Sequence, residues 1–423
     1  MSKFIIQGGK PLSGEIAVSG AKNEGLKVMA AALICRGDLK ISNMPEIEDI
    51  HRLVEILREI GVEAQKITEH EYVFNSDGLK SGQLDSGLVN KLRASTVLMG
   101  PLLARLGEVE MSHPGGCKIG RRPIDLFLRS FEQMGAKVEA TTPTSYKLTA
   151  KSGREGTLRG ARIVLPKISV TVTETIMLSA VLATGRTEII NAAMEPEIPA
   201  LASYLNSKGA KISGAGTPFI TIEGTGLLTG GDYELMPDRI EAGSFGILAA
   251  ATGGEITVKR CQPKHLEVPL EHLREAGATV ETTSDAIKVN ASDLKPLKFA
   301  THEYPGFPTD LQAPLTVALT RANGTSLVHE TIFEGRLFFI DELNKMGADI
   351  ILADPHRAIV NGPTKLYGRT LISPDARAGL ALIIAGLMAE GQTVIDNIYQ
   401  IDRGYEKIEQ RLRALGADID RVE

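Results

Sequence analysis

The phrase MGADI, residues 346–350, returns five more times in closely related form along this 423-residue chain. The other copies are IGVEA at 60–64, MGAKV at 134–138, KGAKI at 208–212, AGATV at 276–280 and LGADI at 415–419. Successive copies of its glycine are separated by 68 to 74 positions. The spacing predicts an internal repeat of about 70 residues.

Each copy of the phrase follows a stretch with helical apolar spacing, for example DIHRLVEILREI at 49–60. The glycine then stands where a left-handed residue ends a helix, and a strand is predicted to start after it. Each repeated unit also contains a second apolar helix, upstream of this phrase. That helix ends at its own glycine and leads into another strand, as in SFGILAAATGGEITVKRC at 244–261. Six alternating units of this kind predict an α/β protein with two domains of three units each.

Composition excludes several function classes. The net charge of −5 gives no support for nucleic-acid binding. The longest apolar run, 378–389, is shorter than the roughly 18 residues that a membrane span needs. The first residues, MSKFIIQGGK, lack the long apolar core of a secretory signal. We therefore expect a cytoplasmic protein with no membrane partner, and its oligomeric state stays open.

No metal or cofactor is expected. The three cysteines at 35, 117 and 261 form no CxxC pair, and the eight histidines show no zinc-binding spacing. Neither a dinucleotide-binding GxGxxG after a strand nor a P-loop occurs. Cys35, inside a predicted apolar helix, and Cys261, at the end of a predicted strand, are interpreted as inert small hydrophobic residues.

Cys117 differs from the other two cysteines. It lies in PGGCKIGRRPID, residues 114–125, after two glycines and before Lys118, Arg121 and Arg122. Exposure and neighbouring cations make a thiol reactive. The competing interpretation is an incidental cysteine in a surface loop.

Other polar residues stand at predicted helix starts, where anions bind favourably. Lys22 and Asn23 open the first helix, and the segment Arg122 to Asp125 directly precedes another. Arg377 and Arg403 are also predicted at helix starts, and Asp310 follows two prolines at a further one. Each also has a purely structural interpretation: a solvated lysine, an Arg–Asp pair, or a carboxylate that only caps its helix.

Taken together, these polar motifs resemble the motifs of the UDP-N-acetylglucosamine 1-carboxyvinyltransferases, a branch of the enolpyruvyl transferase family. The resemblance covers essentially the whole chain, and the cysteine-loop motif is highly specific. The matching motifs, in the family's order, are SGAKN at 19–23, RAS at 93–95, PGGCxIGxRPxD at 114–125, EPEI at 195–198, PDRIE at 237–241, FPTDLQA at 307–313 and IDRGYE at 401–406.

The resemblance implies an architecture of two inside-out α/β barrel domains built from the six repeated units. Residues 22–232 would form the domain with the cysteine loop. Residues 1–21 and 233–423 would form the second domain, and the active site would lie in the cleft between them. Gly115, Gly116 and Gly120 would let the cysteine loop fold down over bound substrates.

The resemblance also implies the reaction, the first committed step of peptidoglycan precursor synthesis. Phosphoenolpyruvate would donate its enolpyruvyl group to the 3′-hydroxyl of UDP-N-acetylglucosamine, through addition and then elimination of phosphate. The implied catalytic residues are Cys117, Asp310, Lys22 and Arg403. The implied contacts with phosphoenolpyruvate are Lys22, Asn23, Arg122 and Arg403.

The UDP-N-acetylglucosamine contacts implied by the resemblance form a larger set, with Arg377 as a further active-site cation. They are Arg93, Arg122, Pro123, Ile124, Asp125, Leu126, Lys167, Ile168, Ser169, Val170, Asp310 and Ile332. Because Cys117 is present, sensitivity to the thiol-alkylating antibiotic fosfomycin is expected.

Four residues depart from the family's usual pattern: Phe127, Thr171, Lys118 and Arg121. They leave open a related enzyme that uses another nucleotide sugar. Two competing hypotheses are a 5-enolpyruvylshikimate-3-phosphate synthase, which the Cys117 loop disfavours, and a catalytically silent UDP-sugar-binding regulator.

Overall fold

The computed structural model describes residues 2–116, 119–150 and 158–423, and these form two compact units. The Lys22 unit comprises residues 20–116, 122–150 and 158–236. The Asp310 unit comprises residues 2–19, 119–121 and 237–423. Each unit contains one large cluster of buried apolar side chains.

The strands are short, and all of the following bounds refer to the described part of the chain. They are β1 (Lys3–Gln7), β2 (Ser13–Ala17), β3 (Cys35–Ser42), β4 (Glu63–Thr68), β5 (Glu71–Asn75), β6 (Glu108–Ser112), β7 (Ala136–Thr142), β8 (Ser145–Ala150), β9 (Arg162–Val164), β10 (Arg186–Ile190), β11 (Lys211–Ser213), β12 (Phe219–Glu223), β13 (Leu228–Glu234), β14 (Glu255–Lys259), β15 (Thr279–Thr282), β16 (Ala286–Asn290), β17 (Lys298–Ala300), β18 (Gly324–His329), β19 (Asp349–Asp354), β20 (Arg357–Gly362), β21 (Thr370–Ile372), β22 (Gln392–Asp396) and β23 (Asp418–Val422).

Helices alternate with these strands. They are α1 (Lys22–Ala31), α2 (Glu48–Glu59), α3 (Ser86–Val89), α4 (Met99–Leu106), α5 (Asp125–Gln133), α6 (Val170–Leu182), α7 (Glu197–Ser207), α8 (Arg239–Thr252), α9 (Glu267–Glu275), α10 (Gln312–Leu319), α11 (Ile340–Lys345), α12 (Ala376–Met388), α13 (Tyr399–Asp402) and α14 (Ile408–Ala414). Short 3₁₀ helices cover Ala32–Ile34, Arg93–Leu98, Pro263–His265 and Thr309–Leu311.

The strands of each unit form three small sheets. In the Lys22 unit the orders are β13-β3-β5-β4, β6-β8-β7 and β11-β12-β10-β9. In the Asp310 unit they are β21-β22-β1-β23, β15-β16-β14-β2 and β17-β18-β20-β19. Each four-stranded sheet joins one parallel pair, such as β17 with β18, to antiparallel neighbours. The recurrence of one sheet pattern parallels the recurrence of the glycine phrase.

Buried helices form the centre of each unit. In the Asp310 unit α8, α10 and α12 pack against one another, and α12 is buried throughout 376–387. In the Lys22 unit α4 and α6 pack against each other and against the 3₁₀ turn that continues α1. Helices that are apolar on every side are stable only when covered on every side, so the sheets take the outer positions.

The six repeated glycines end helices as the sequence predicts. Helices α2, α5, α7, α9, α11 and α14 each stop two residues before one of them, and all six glycines have φ between +91° and +106°. After α2, the Val62 N–H donates to the Leu57 carbonyl at 3.0 Å, which closes a Schellman motif. A Cβ on Gly209 would meet nothing within 4 Å. The backbone angle, and not lack of space, therefore requires glycine there.

Two further expectations from the sequence can be compared with the structure. The prediction that Cys35 lies inside a helix is wrong, because Cys35 begins β3 after the 3₁₀ turn. Its side chain is nevertheless fully buried, as predicted for an inert cysteine. Among the residues that the structure describes, no helix combines the length and the apolar character needed to span a bilayer.

Candidate active site

Several residues predicted for the site lie at or near the starts of buried helices. Lys22 begins α1, Arg93 begins the 3₁₀ helix that runs into α4, and Val170 begins α6. In the Asp310 unit, Asp310 lies in the 3₁₀ helix before α10, and Arg377 lies in the first turn of α12. The repeat therefore delivers charged side chains to equivalent ends of the buried helices.

Lys22 is held by a carboxylate that the sequence motifs did not indicate. Its Nζ lies 2.6 Å from Oδ2 of Asp49, and both side chains are largely buried. Asp49 lies in the first turn of α2, where the helix dipole favours a negative charge. The pair fixes the ammonium group at the start of α1, whose N-cap Ala21 has no side chain that could cap the helix.

Arg93 and Arg122 bring two cations together. Nη2 of Arg93 donates to the carbonyl oxygen of Arg122 and, at 3.4 Å, to that of Pro123. Burial and the neighbouring charge of Arg122 lower the pKa of Arg93 to about 10. Two like charges in partial burial are stabilised by an anion that both can bind. This part of the predicted nucleotide-sugar set is thus assembled in one place.

Two glycines of the cysteine loop allow the backbone to approach its neighbours. A Cβ on Gly115 would lie 1.6 Å from the carbonyl oxygen of Asn90. Gly116 has φ +113°, and a Cβ there would lie 2.8 Å from Cβ of Arg93. Close packing therefore requires both glycines, and their role in loop closure stays a prediction. Cys117 and Lys118 lie outside the described residues.

The other predicted sugar-nucleotide residues frame two helix starts. Asp125 opens α5 after the N-cap Ile124, which confirms that the segment precedes a helix. Ser169 is the N-cap of α6 and makes no side-chain cap hydrogen bond, so the first-turn N–H groups can bind an anion. Phe127, a departure from the family pattern, is 4% exposed and belongs to the hydrophobic core. Its role in this structure is packing.

The remaining members of that set flank these helix starts. They are Leu126, which packs against the core, Lys167, which is exposed, and Ile168, which is half-buried. Thr171, another departure, offers its carbonyl oxygen to the hydroxyl of Thr175 inside α6.

Ionisable groups are buried directly beneath the start of α1. Oε1 of Glu24 accepts from the Tyr233 hydroxyl, and its Oε2 accepts from the N–H of Met236 at 2.7 Å. Lys27, one turn further, pairs with the fully buried Glu174 at 3.2 Å. Burial raises the pKa of Glu24 and that of Glu174 to about 7 in each case.

The Glu24→Gln variant should lose less stability than the wild type as the pH rises from 5 to 8. Well below the unfolded pKa of 4.5, the carboxyl group is protonated in both states and does not change the free energy of unfolding. As the pH rises from 4.5 towards the folded pKa of about 7, the unfolded chain loses this proton more readily than the folded protein, so the free energy of unfolding falls. Glutamine avoids that loss, which we expect to be on the order of 1–3 kcal/mol. Denaturant unfolding at both pH values measures it. The exposed Glu63→Gln is the control, and parallel pH dependence in all three proteins would contradict the prediction.

Asp310 is clamped between two arginines. Its Oδ1 lies 2.5 Å from Nη2 of Arg336, and its Oδ2 lies 3.1 Å from Nε of Arg377. Pro308, and not Asp310, is the N-cap of the 3₁₀ helix, so capping does not explain this carboxylate. Both arginine side chains are buried, whereas Asp310 is 23% exposed. Both carboxylate oxygens are thus bound by cations while part of the side chain stays exposed.

Arg377 is fixed by the end of its own helix. Asp375, the N-cap of α12, accepts from the backbone N–H groups of Arg377 and Ala378, and the guanidinium lies 5.3 Å from the ring centroid of Tyr405. Burial acts to lower the pKa of Arg377, but Tyr405 and Asp310 outweigh it and raise that pKa. The predicted position of Arg377 at a helix start is confirmed.

The prediction that Arg403 stands at a helix start is wrong. It is the C-cap of the short α13, and α14 does not begin until Ile408. Its side chain is buried and donates to Oε1 of Gln400 at 3.1 Å. Arg403 therefore lies where the chain leaves α13, in the connection to α14.

Ile332 belongs to a turn organised by Glu330. Oε1 of this fully buried carboxylate accepts from the N–H groups of Ile332 and Phe333 at 2.8 and 3.1 Å. Sequence reasoning missed Glu330, Arg336 and Asp49. None of the three lies in a recognised motif, and their roles depend on contacts with residues distant in the chain.

Known proteins match this chain along nearly its whole length. A family model described as EPSP synthase (3-phosphoshikimate 1-carboxyvinyltransferase) matches residues 6–412. Proteins named UDP-N-acetylglucosamine 1-carboxyvinyltransferase from Psychromonas ingrahamii, Koribacter versatilis and Serratia proteamaculans are each 44% identical to this chain. The matches cover 100% of this chain and 97–100% of the relatives.

Solved structures share the fold at lower identity. The enolpyruvyl transferase NikO from Streptomyces tendae superposes with a TM-score of 0.89 at 24% identity, over 100% of this chain and 99% of its own. EPSP synthase from Acinetobacter baumannii gives a TM-score of 0.75 at 22% identity, over 100% of both chains. The predicted fold class is therefore confirmed. By sequence along nearly its whole length and by fold, this chain belongs to the enolpyruvyl transferase family.

Proposed function

We propose that this chain transfers the enolpyruvyl group of phosphoenolpyruvate to the 3′-hydroxyl of UDP-N-acetylglucosamine and releases phosphate. The observation that carries the proposal is the 44% identity, along the full chain, to proteins named for this activity. The clamped carboxylate of Asp310 supports it, because the reaction needs a base that stays ionised until it receives the proton of a hydroxyl group.

The chemistry has two balanced halves. In the addition, the sugar oxygen bonds to carbon 2 of phosphoenolpyruvate, its proton passes to Asp310, and a proton from Cys117 adds to carbon 3. In the elimination, carbon 3 gives up a proton to the Cys117 thiolate, the bond from carbon 2 to the phosphate oxygen breaks, and the proton held by Asp310 passes to the departing phosphate. The double bond forms again, and phosphate leaves with the electron pair.

The cations have separate tasks in this proposal. Lys22 and Arg122, with Arg403 and the neighbouring Asn23, would bind the phosphate and carboxylate of phosphoenolpyruvate. The nucleotide sugar would lie along Arg93, the start of α5, the start of α6 and Ile332. Both substrates are cytoplasmic metabolites, so a cytoplasmic location follows from the proposal.

The test measures phosphate release from phosphoenolpyruvate with and without UDP-N-acetylglucosamine, and checks the sugar by mass spectrometry. We expect release that depends on the sugar, together with a carboxyvinyl group on the sugar product. Release without turnover of the sugar, or tight sugar binding without any release, would overturn the proposal.

The name of the matching family model favours a second candidate acceptor, 3-phosphoshikimate. The same assay run with 3-phosphoshikimate separates the two. Because the solved EPSP synthase is only 22% identical to this chain, whereas the nucleotide-sugar relatives are 44% identical, we expect no release with that acceptor.

A further inference from the structure

The start of α1 is held by a chain segment that is distant in the sequence. Its N-cap residue, Ala21, has no side chain that could cap the helix, but its backbone N–H donates to the carbonyl oxygen of Met236 at 2.7 Å. In return, the N–H of Met236 donates to Oε2 of Glu24 at 2.7 Å. Glu24 is the third residue of α1, the position from which a glutamate completes a capping box. Two opposed hydrogen bonds thus fasten Met236 to the first turn.

Met236 belongs to a segment that is itself fixed to the sheet of β3 and β13. The N–H of Leu235 donates to the carbonyl oxygen of Ser42 at 3.1 Å, and Nδ2 of Asn43 donates to the carbonyl oxygen of Leu235 at 2.9 Å. The Leu235 side chain is buried, and a Cβ on Gly25 would lie 3.0 Å from its Cδ1. The segment therefore gives α1 a closely packed and rigid support.

The second oxygen of the Glu24 carboxylate is also used. Oε1 accepts from the hydroxyl of Tyr233, whose ring packs edge-on against that of Tyr204 in α7, with the two centroids 4.8 Å apart. The carboxylate thus joins α1 to the end of β13 through two donors, and only 1% of Glu24 is exposed. A buried donor that loses its acceptor costs its full desolvation free energy. Removal of the Glu24 side chain would leave the N–H of Met236 in that state.

The same arrangement occurs in the Asp310 unit. There the N-cap of α8, Asp238, donates its backbone N–H to the carbonyl oxygen of Ser19 at 2.9 Å, and the N–H of Ser19 donates to Oε2 of Glu241 at 2.7 Å. Glu241 is the third residue of α8, so the two glutamates hold equivalent positions. Their other partners differ: Glu241 pairs with Arg411, whereas Glu24 accepts from a tyrosine hydroxyl. An arrangement that both units share is a property of the repeated fold.

We propose that Glu24 is a positioning residue for Lys22 and Asn23: by binding Met236, it fixes the first turn of α1, which carries both of these side chains. The proposal rests on the proposed function, in which Lys22 and Asn23 bind phosphoenolpyruvate. Asp49 holds the ammonium group at the end of the flexible Lys22 side chain, whereas Glu24 holds the backbone at its base. The predicted nucleotide-sugar contacts start from other elements, so loss of Glu24 should weaken the binding of phosphoenolpyruvate selectively.

The first test compares Glu24→Ala and Glu24→Gln in the full chain by steady-state phosphate release. For Glu24→Ala we expect the KM for phosphoenolpyruvate to rise about tenfold, because two side chains that are no longer held must be ordered when the substrate binds. The KM for UDP-N-acetylglucosamine and kcat should each change less than about threefold. Glu24→Gln keeps an oxygen that accepts from Met236, and its NH₂ group can donate to the Tyr233 oxygen. Its KM for phosphoenolpyruvate should therefore stay within about threefold of the wild-type value.

The control is Ser76→Ala, which removes buried hydrogen bonds at the opposite end of the same helix. The Ser76 hydroxyl contacts the carbonyl oxygens of Ala32 and Cys35 at 2.7 and 3.2 Å. This variant should also be destabilised, yet keep the wild-type KM for phosphoenolpyruvate. If Glu24→Ala does not fold by circular dichroism, Glu24→Met, which fills the space but accepts no hydrogen bond, takes its place. An unchanged KM for phosphoenolpyruvate, an equal rise of both KM values, or the same rise in Ser76→Ala would overturn the proposal.

Hydrogen exchange separates this proposal from the proposed function, because it needs no substrate. In Glu24→Ala the backbone amides of Ala21 and Met236 should exchange about tenfold faster than in the wild type, and in Glu24→Gln at about the wild-type rate. Mass spectrometry of the peptides that contain these two residues measures the exchange. Equal exchange in Glu24→Ala and the wild type would refute the role of Glu24 even if the enzyme is active. Faster exchange in a protein without sugar-dependent phosphate release would refute the proposed function alone.

Discussion

Asp310→Asn should lower kcat about 10²–10⁴-fold, the range that removal of a general base produces. Asparagine has nearly the same shape and can still accept one arginine hydrogen bond, but its amide cannot take the sugar proton. Its NH₂ group must also face a guanidinium donor, either Arg336 or Arg377. The measurement is steady-state phosphate release at saturating concentrations of both substrates.

Asp354→Asn is the matched control for this experiment. Asp354, in the same unit, forms an ion pair with Arg357 at the end of β19, where the pair is partly exposed. Surface pairs contribute about 0–1 kcal/mol to stability, so this variant should keep wild-type activity. If Asp310→Asn kept more than about a tenth of wild-type kcat, Asp310 could not be the general base.

Fosfomycin should add one group to the native protein, on Cys117, and none to the Cys117→Ser variant. The reagent is an epoxide: a thiolate opens the ring, a carbon–sulfur bond forms, and the released oxygen takes a proton. Cys35 is 0% exposed and Cys261 is 2% exposed. Burial raises the pKa of each to about 11, so only about one in 10⁴ of either thiol is thiolate at pH 7.

Intact mass and peptide mapping measure the labelling. Iodoacetamide applied to denatured protein should modify all three cysteines, which gives the positive control for detection. The Cys35→Ser and Cys261→Ser variants should be labelled by fosfomycin as the wild type is. A native protein that remains unlabelled, or an adduct on Cys35 or Cys261, would show that the predicted reactivity of the cysteine loop is wrong.

Local signals in the sequence predicted the framework well. The glycine of each repeated phrase needs a left-handed backbone angle whatever surrounds it, so its position alone marks a helix end. The start of α5 was predictable for a similar reason, because a helical apolar spacing begins directly after the segment Arg122 to Asp125. The Arg403 prediction failed because the same kind of local signal cannot tell the last turn of α13 from the first turn of another helix.

The partners of the site residues were not predictable in this way. Asp49 reaches Lys22 from α2, and Arg336 reaches Asp310 from the turn after β18. Both contacts depend on how separate elements pack, and a lone aspartate or arginine carries no spacing that reveals its partner. Glu330 is similar, because four donors from three segments meet its carboxylate. The motifs indicated the chemistry, and the packing determined which residues orient it.

The order of strands in the Asp310 unit also constrains how the chain folds during synthesis. β1 lies between β22 and β23, and β2 pairs with β14. A ribosome that adds about 5–20 residues per second needs roughly 20–80 s between making β1 and making β22. Throughout that interval β1, which contains Phe4 and Ile6, has neither neighbour to pair with. Newly made chains should therefore depend on chaperones that shield this segment until the last strands emerge.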